Sequence, residues 1–265
     1  MATSGHPNRV LPGLALLAVL TVIPGSWHLT GPILSGQQQQ QQQPDRRNPG
    51  ERQRPAPERS GLDDAPPEVI ALFDEVMTRM PPAGSGVAES RFHHWTVPGA
   101  PTRAALGIKG VPGVDPDALI RRVMEVDGYE GRIAHVLVNA SRSAPAEEDP
   151  GRVAFTQRIN VPGIAEVQHE LELVDAGTIR GYRVAYWSLL REETAAMDPG
   201  LGARSEANVG IWLASPGVVG YAFHSWPRRD DLNRFQWFSL TTGAAVAARQ
   251  IVERNIDDMA DWARQ

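Results

Sequence analysis

The chain of 265 residues contains no cysteine, which excludes disulfides, thiolate metal sites and cysteine nucleophiles. It contains one lysine, Lys109, so Schiff-base or lysine-base chemistry would fall to that residue, next to Gly110 in a turn-like pair. The formal net charge is −5, and there is no basic excess to draw nucleic acid. No G-x-S-x-G, no H-E-x-x-H and no phosphate-cradling loop is present, and no cofactor motif stands in their place. Gly84 and Gly86 lack the strand-then-helix context that a phosphate loop needs. Uninterrupted apolar length is also scarce. A spanning helix takes about 20 apolar residues, and residues 10–34 reach that only by including Pro12, Pro24, His28 and Pro32.

What is there begins with Arg9 and an apolar run over residues 14–23, broken only by Thr21 and ended by Pro24. A basic start followed by a run of this length is the pattern of an export signal. Residues 1–36 are therefore expected to be an export signal or an N-terminal membrane anchor, with the cell envelope, periplasm or extracellular space as destination. Residues 37–60 hold a glutamine run and then proline, arginine and glutamate. That composition cannot bury enough apolar surface to offset chain entropy, so it reads as a disordered linker. Residues 61–265 remain, enough for one domain with a sizeable core.

Within that domain, residues 66–80 carry Val69, Ile70, Phe73, Val76, Met77 and Met80 at helical spacing between proline pairs. Residues 91–96 and 103–109 are expected strands. Asp115 and Pro116 are placed to cap and begin a helix over 117–126. Six strand signals follow, at 132–141, 153–161, 166–174, 182–190, 206–214 and 218–226. Their short connections predict an antiparallel meander. The acidic residues of the longer loops, among them Glu147, Glu148, Glu192 and Glu193, read as solvated charge.

The last stretch, residues 241–264, reads as a single amphipathic helix, with residues 235–240 able to extend it backwards. One face carries Ala244, Ala248, Ile251, Val252, Met259 and Trp262, and Asn255 sits near its centre. A polar side chain there must find a partner or leave a hydrogen bond unmade.

This order of elements resembles the START-like, helix-grip superfamily, which also includes polyketide cyclases. Particular residues carry the resemblance. Val114-Asp115-Pro116-Asp117-Ala118-Leu119-Ile120 is similar to that family's first short helix and its cap. Asn160-Val161-Pro162-Gly163-Ile164 followed by Val167-Gln168-His169-Glu170-Leu171 resembles its proline turn and next strand. Gly210-Ile211-Trp212-Leu213 resembles its G-x-W-x-L strand. Many START proteins carry an arginine-acid pair where Val167 and Gln168 stand, so that charged pair is not carried over. The resemblance implies an α+β fold, a curved antiparallel sheet wrapped around the C-terminal helix. It also implies a cavity between them for a lipid or other apolar small molecule.

Alternation then sorts the strand residues into faces. Tyr182, Val184, Tyr186 and Ser188 share a face, and so do Tyr221 and Phe223. Both sets are expected on the cavity wall, since Arg183 on the opposite face should prefer water. The helix should contribute Ala244, Ala248, Ile251, Asn255 and Met259. Small alanines would leave volume open at one end, while Ile251, Met259 and Trp262 would close the other. His135, His169 and His224 lie on three strands, and nothing in their spacing requires a metal. Three functions stay open. The chain could be a binding module for an apolar molecule. It could be a cyclase- or hydrolase-type enzyme, with Asn255, Tyr186 or His224 polarising a carbonyl. Or it could be an envelope interaction protein with a closed core.

Overall fold

In a computed structural model, residues 61–142, 149 and 151–265 are described. The expected export segment, the linker and most of the acidic loop at 143–150 lie outside the described residues. The first described helix, α1 (Pro67–Met77), begins with proline at its first position and buries Val69, Leu72, Phe73 and Val76. A hairpin of β1 (Arg91–Thr96) and β2 (Arg103–Gly110) follows. Then comes α2 (Pro116–Met124), whose N-cap Asp115 accepts a hydrogen bond from the Asp117 amide.

The next strands run as a meander: β3 (Val136–Ser141), β4 (Arg152–Val161), β5 (Ala165–Ile179) and β6 (Tyr182–Leu189). After the short helix α3 (Arg191–Ala196), β7 (Ala203–Ser215) and β8 (Val218–Pro227) complete it. The sheet order is β1-β2-β8-β7-β6-β5-β4-β3, antiparallel apart from a short parallel contact between β5 and β7. The meander thus ends beside the opening hairpin. Register shifts at 136/138, 175/177 and 205/207 mark irregularities of the kind that bends a strand and increases its twist. These features make the sheet a curved wrap.

The C-terminal helix α4 (Arg234–Ala263) fills the wrap. It starts earlier than the threonines at 241 and 242 suggest. Asn233 and Gln236 form a reciprocal capping box that fixes the start, with hydrogen bonds of 2.9 and 3.0 Å. Ile251, Val252, Ile256, Met259 and Trp262 are buried. Gly107 sets how closely the helix sits on β2, since a Cβ there would lie 2.1 Å from Val252 Cγ1. This is the expected helix-grip architecture, an eight-stranded sheet wrapped around the long C-terminal helix.

The sheet is covered on both faces. On one, α2 and α4 pack against Ala105, Leu171, Leu173, Ala185, Trp187, Trp212 and Tyr221. On the other, α1 packs against Leu106, Ile108, Tyr182, Val184, Tyr186, Ile211 and Leu213. The expected placement of Tyr182, Val184, Tyr186 and Ser188 on the helix-grip side is therefore corrected. Those residues face the opposite side, where Tyr182 donates to the Pro81 carbonyl. The cue from Arg183 misled because this arginine does not need open water. It sits on the α2 side, ion-paired with Asp117 at 2.6 Å and Asp175 at 3.0 Å.

Candidate functional site: a two-lobed cavity between sheet and helix

Two adjoining lobes open between α4 and the sheet, sharing Gln157, Ile159, Trp187, Tyr221 and Ile251 as common walls. The outer lobe has about 110 Å³ reachable by the centres of water-sized molecules. It lies under the alanine stretch of α4, bounded by Leu240, Ala244, Ala247 and Ala248, with Ile164, Val167 and Phe223 from the sheet side and exposed Arg103 at its edge. The inner lobe has about 70 Å³ and is lined by Tyr129, Ile133, His135, Phe155, Leu171, Leu173, Trp212, Asn255 and Met259. Either volume has room for several waters or part of an apolar chain. Beyond the inner lobe, Trp262 packs edge-on against Tyr129 with ring centroids 6.2 Å apart.

Of the residues expected at the cavity, Tyr221, Phe223, Ala244, Ala248, Ile251, Asn255 and Met259 line it. Tyr182, Val184, Tyr186 and Ser188 do not. The three groups considered for carbonyl chemistry are separated in the same way. Asn255 faces the inner lobe and Tyr186 faces α1. His224 alternates away from the cavity-lining Phe223 and Ser225, and its ring lies tilted against Trp226 with centroids 5.0 Å apart. His135, which precedes β3, does not converge with His169 and His224, and among the described residues no group of three His, Asp or Glu could hold a metal ion. Lys109, at the end of β2, is ion-paired to Asp257 of α4.

The floor of the cavity holds a polar network inside an apolar surround. Gln157 Nε2 donates to Asn139 Oδ1 at 2.8 Å, so its Oε1 is left to accept from His169 Nε2 at 3.0 Å. That fixes His169 as the Nε2–H tautomer. Its Nδ1 then accepts, facing Ser205 Oγ at 3.1 Å and Asn208 Nδ2 at 3.2 Å. Asn208 Oδ1 in turn accepts from Trp187 Nε1 at 2.9 Å. His169 is fully buried, and burial pushes its pKa down to about 3, so it stays neutral. The network therefore orients Trp187 without placing a charge in the cavity. The indole stacks on Tyr221 at 5.5 Å and crosses β7 over Gly210, where a Cβ would come within 1.9 Å of the ring.

Two buried groups at the inner lobe are incompletely satisfied. Asn255 Oδ1 and His135 Nε2 have no hydrogen-bond partner. Burial raises the Tyr221 phenol pKa, and the neighbouring Asn255 side chain partly opposes that rise. The pKa of His135 is lowered by burial, against the pull of Asp258.

Gln157, Trp187 and Asn208 did not stand out in the sequence as cavity residues. A signal was present nonetheless. Each polar member interrupts an otherwise apolar alternation, as in Phe155-Gln157-Ile159 and Val167-His169-Leu171. A polar side chain on a buried face is a request for a partner.

Neither a protein-family model nor a curated protein matches the sequence. Solved structures do match in fold. A STAR-related lipid transfer protein from Xanthomonas axonopodis superposes with a TM-score of 0.52 at 12% identity, covering 69% of this chain and 98% of that one. Human STARD10 superposes with a TM-score of 0.50 at 8% identity, covering 68% of this chain and 71% of that one.

Proposed function

From the START-like helix-grip fold of this chain, we propose that it is an exported binding module holding a lipid or other apolar small molecule between sheet and C-terminal helix. One observation carries the reading. The cavity has apolar walls, and α4 keeps it open by presenting alanines at 244, 247 and 248 where larger side chains would fill it. A closed-core interaction protein would have no use for that gap. The polar floor is satisfied by itself, so an apolar chain can lie over Trp187 without leaving its hydrogen bonds unmade. Lipid transfer by proteins of this fold makes the same reading natural for this chain. Export rests on Arg9 and the apolar run at 14–23.

Tryptophan fluorescence tests the reading. Trp187 lines both lobes and Trp212 lines the inner one. A heavy-atom alkane such as 1-bromodecane should quench part of the emission saturably, and Trp187→Phe should remove part of that quenching. Quenching that rises without saturation and is unchanged in Trp187→Phe would count against a cavity ligand.

A further inference from the structure

The inner lobe says more about what it would bind. Besides Gln157 of β4, whose amide is held by Asn139 and His169, three elements bring polar atoms to it: Tyr221 from β8, Asn255 from α4, and His135 from the segment before β3. Asn255 leaves its Oδ1 buried and unpartnered beside Tyr221. His135 leaves its Nε2 buried and unpartnered. The first atom is an acceptor by its chemistry, and the second is an acceptor in the neutral imidazole. Tyr221 keeps its own O–H to donate. Buried polar atoms without partners are uncommon, and two in one small lobe call for an explanation.

We infer that the inner lobe receives the hydroxyl end of an uncharged, apolar alcohol, which donates to Asn255 Oδ1 or His135 Nε2 and accepts from the Tyr221 hydroxyl. The inference rests on the binding-module reading and narrows it to a ligand class. A hydroxyl both donates and accepts, so it complements the three atoms. A carboxylate brings acceptors alone, and no Arg or Lys lines this lobe to neutralise it. An ammonium could donate, but no carboxylate lines the lobe to pair with its charge. Apart from Gln157, whose amide is already engaged, the remaining walls are apolar or aromatic and suit the hydrocarbon of an alcohol.

Displacement of 1-bromodecane from the full-length chain at pH 8 by three probes of matched chain length separates the possibilities. 1-Decanol can donate and accept, decyl methyl ether can only accept, and decanoate is charged. Decanol should displace the bromoalkane at roughly three- to tenfold lower concentration than the ether, the worth of about one buried hydrogen bond, with decanoate weaker than both. Asn255→Leu should bring alcohol and ether close to parity. His135→Phe should move them in the same direction. Equal displacement by alcohol and ether in the unmutated chain would overturn the inference while leaving the binding-module reading standing, as would preference for decanoate. Absence of saturable bromodecane quenching would overturn both. Because the probe series is read on the unmutated protein, the result stands even where a substituted chain fails to fold.

Discussion

Protonation of His169 is the perturbation whose consequence can be worked furthest from the structure. The imidazole is wholly buried, donates to Gln157 and accepts from Ser205 and Asn208. A second proton on Nδ1 would oppose the Asn208 amide donor and place an unpaired charge in the core. Burial accordingly lowers the folded pKa from 6.5 to about 3. The unfolded chain takes up a proton below about 6.5, and the folded chain does so only near 3. Stability is therefore fully present above pH 6.5 and declines as pH falls towards 3. The decline is at most ~1.4 kcal/mol per pH unit, on the order of 5 kcal/mol across the window. His93, His135 and His224 are also lowered, so they contribute to the same slope. Urea unfolding at pH 7.5, 6, 5 and 4 should thus be compared between the unmutated chain and His169→Gln, which keeps a donor and an acceptor. The variant should show the shallower pH slope. NMR of the imidazole should find His169 as a neutral Nε2–H ring at pH 5. A ring titrating near 6.5, or identical slopes in the two proteins, would refute the buried network.

Other consequences are local. Gly210→Ala should force the Trp187 indole from its bond to Asn208 and destabilise by about 2–3 kcal/mol in chemical unfolding, with Trp187→Val relieving part of the loss. The Asp231 carboxylate is gripped by Arg204 at 2.8 Å through both Nε and Nη2, which lowers its pKa. Its contribution should persist above pH 3.8 and fade below it, and Asp231→Asn should lower stability by about 1–3 kcal/mol at pH 7. A tagged full-length chain should fractionate with the envelope or medium when expressed in its own host, and recovery wholly in soluble cytoplasm would sink the export reading.

Much of this architecture is legible in the sequence because its local signals agree. The Asp115-Pro116 start, the period-two strands and the stripe from Ala244 to Trp262 each point to the observed elements. The inward turn of Asn255 follows from its place between Ile251 and Met259 on that stripe. The inner face of β6 was not legible. Alternation separates Tyr182, Val184 and Tyr186 from Arg183, Ala185 and Trp187, but only tertiary packing assigns the sides. Here α1 buries the first set, and Asp117 and Asp175 meet the arginine, so hydrophobicity pointed the wrong way. The sequence offers two starts for α4, the threonines at 241 and 242, good caps in isolation, and a backward extension over 235–240, and the observed start at Arg234 agrees with the extension. The Asn233–Gln236 box is the stronger signal, with its N-cap eight residues upstream of Thr241.

The central claim is that the space beneath the α4 alanines holds an apolar molecule. Native mass spectrometry of the full-length chain and Ala248→Phe, both purified from the protein's own host, tests it most directly. Ala248 lines the outer lobe, so a phenyl ring there should occupy the space a ligand would use. The account predicts an apolar adduct on the unmutated chain, and a folded Ala248→Phe protein of equal or higher melting temperature that carries none. An unmutated chain with no adduct, or the same adduct on both proteins, would contradict it.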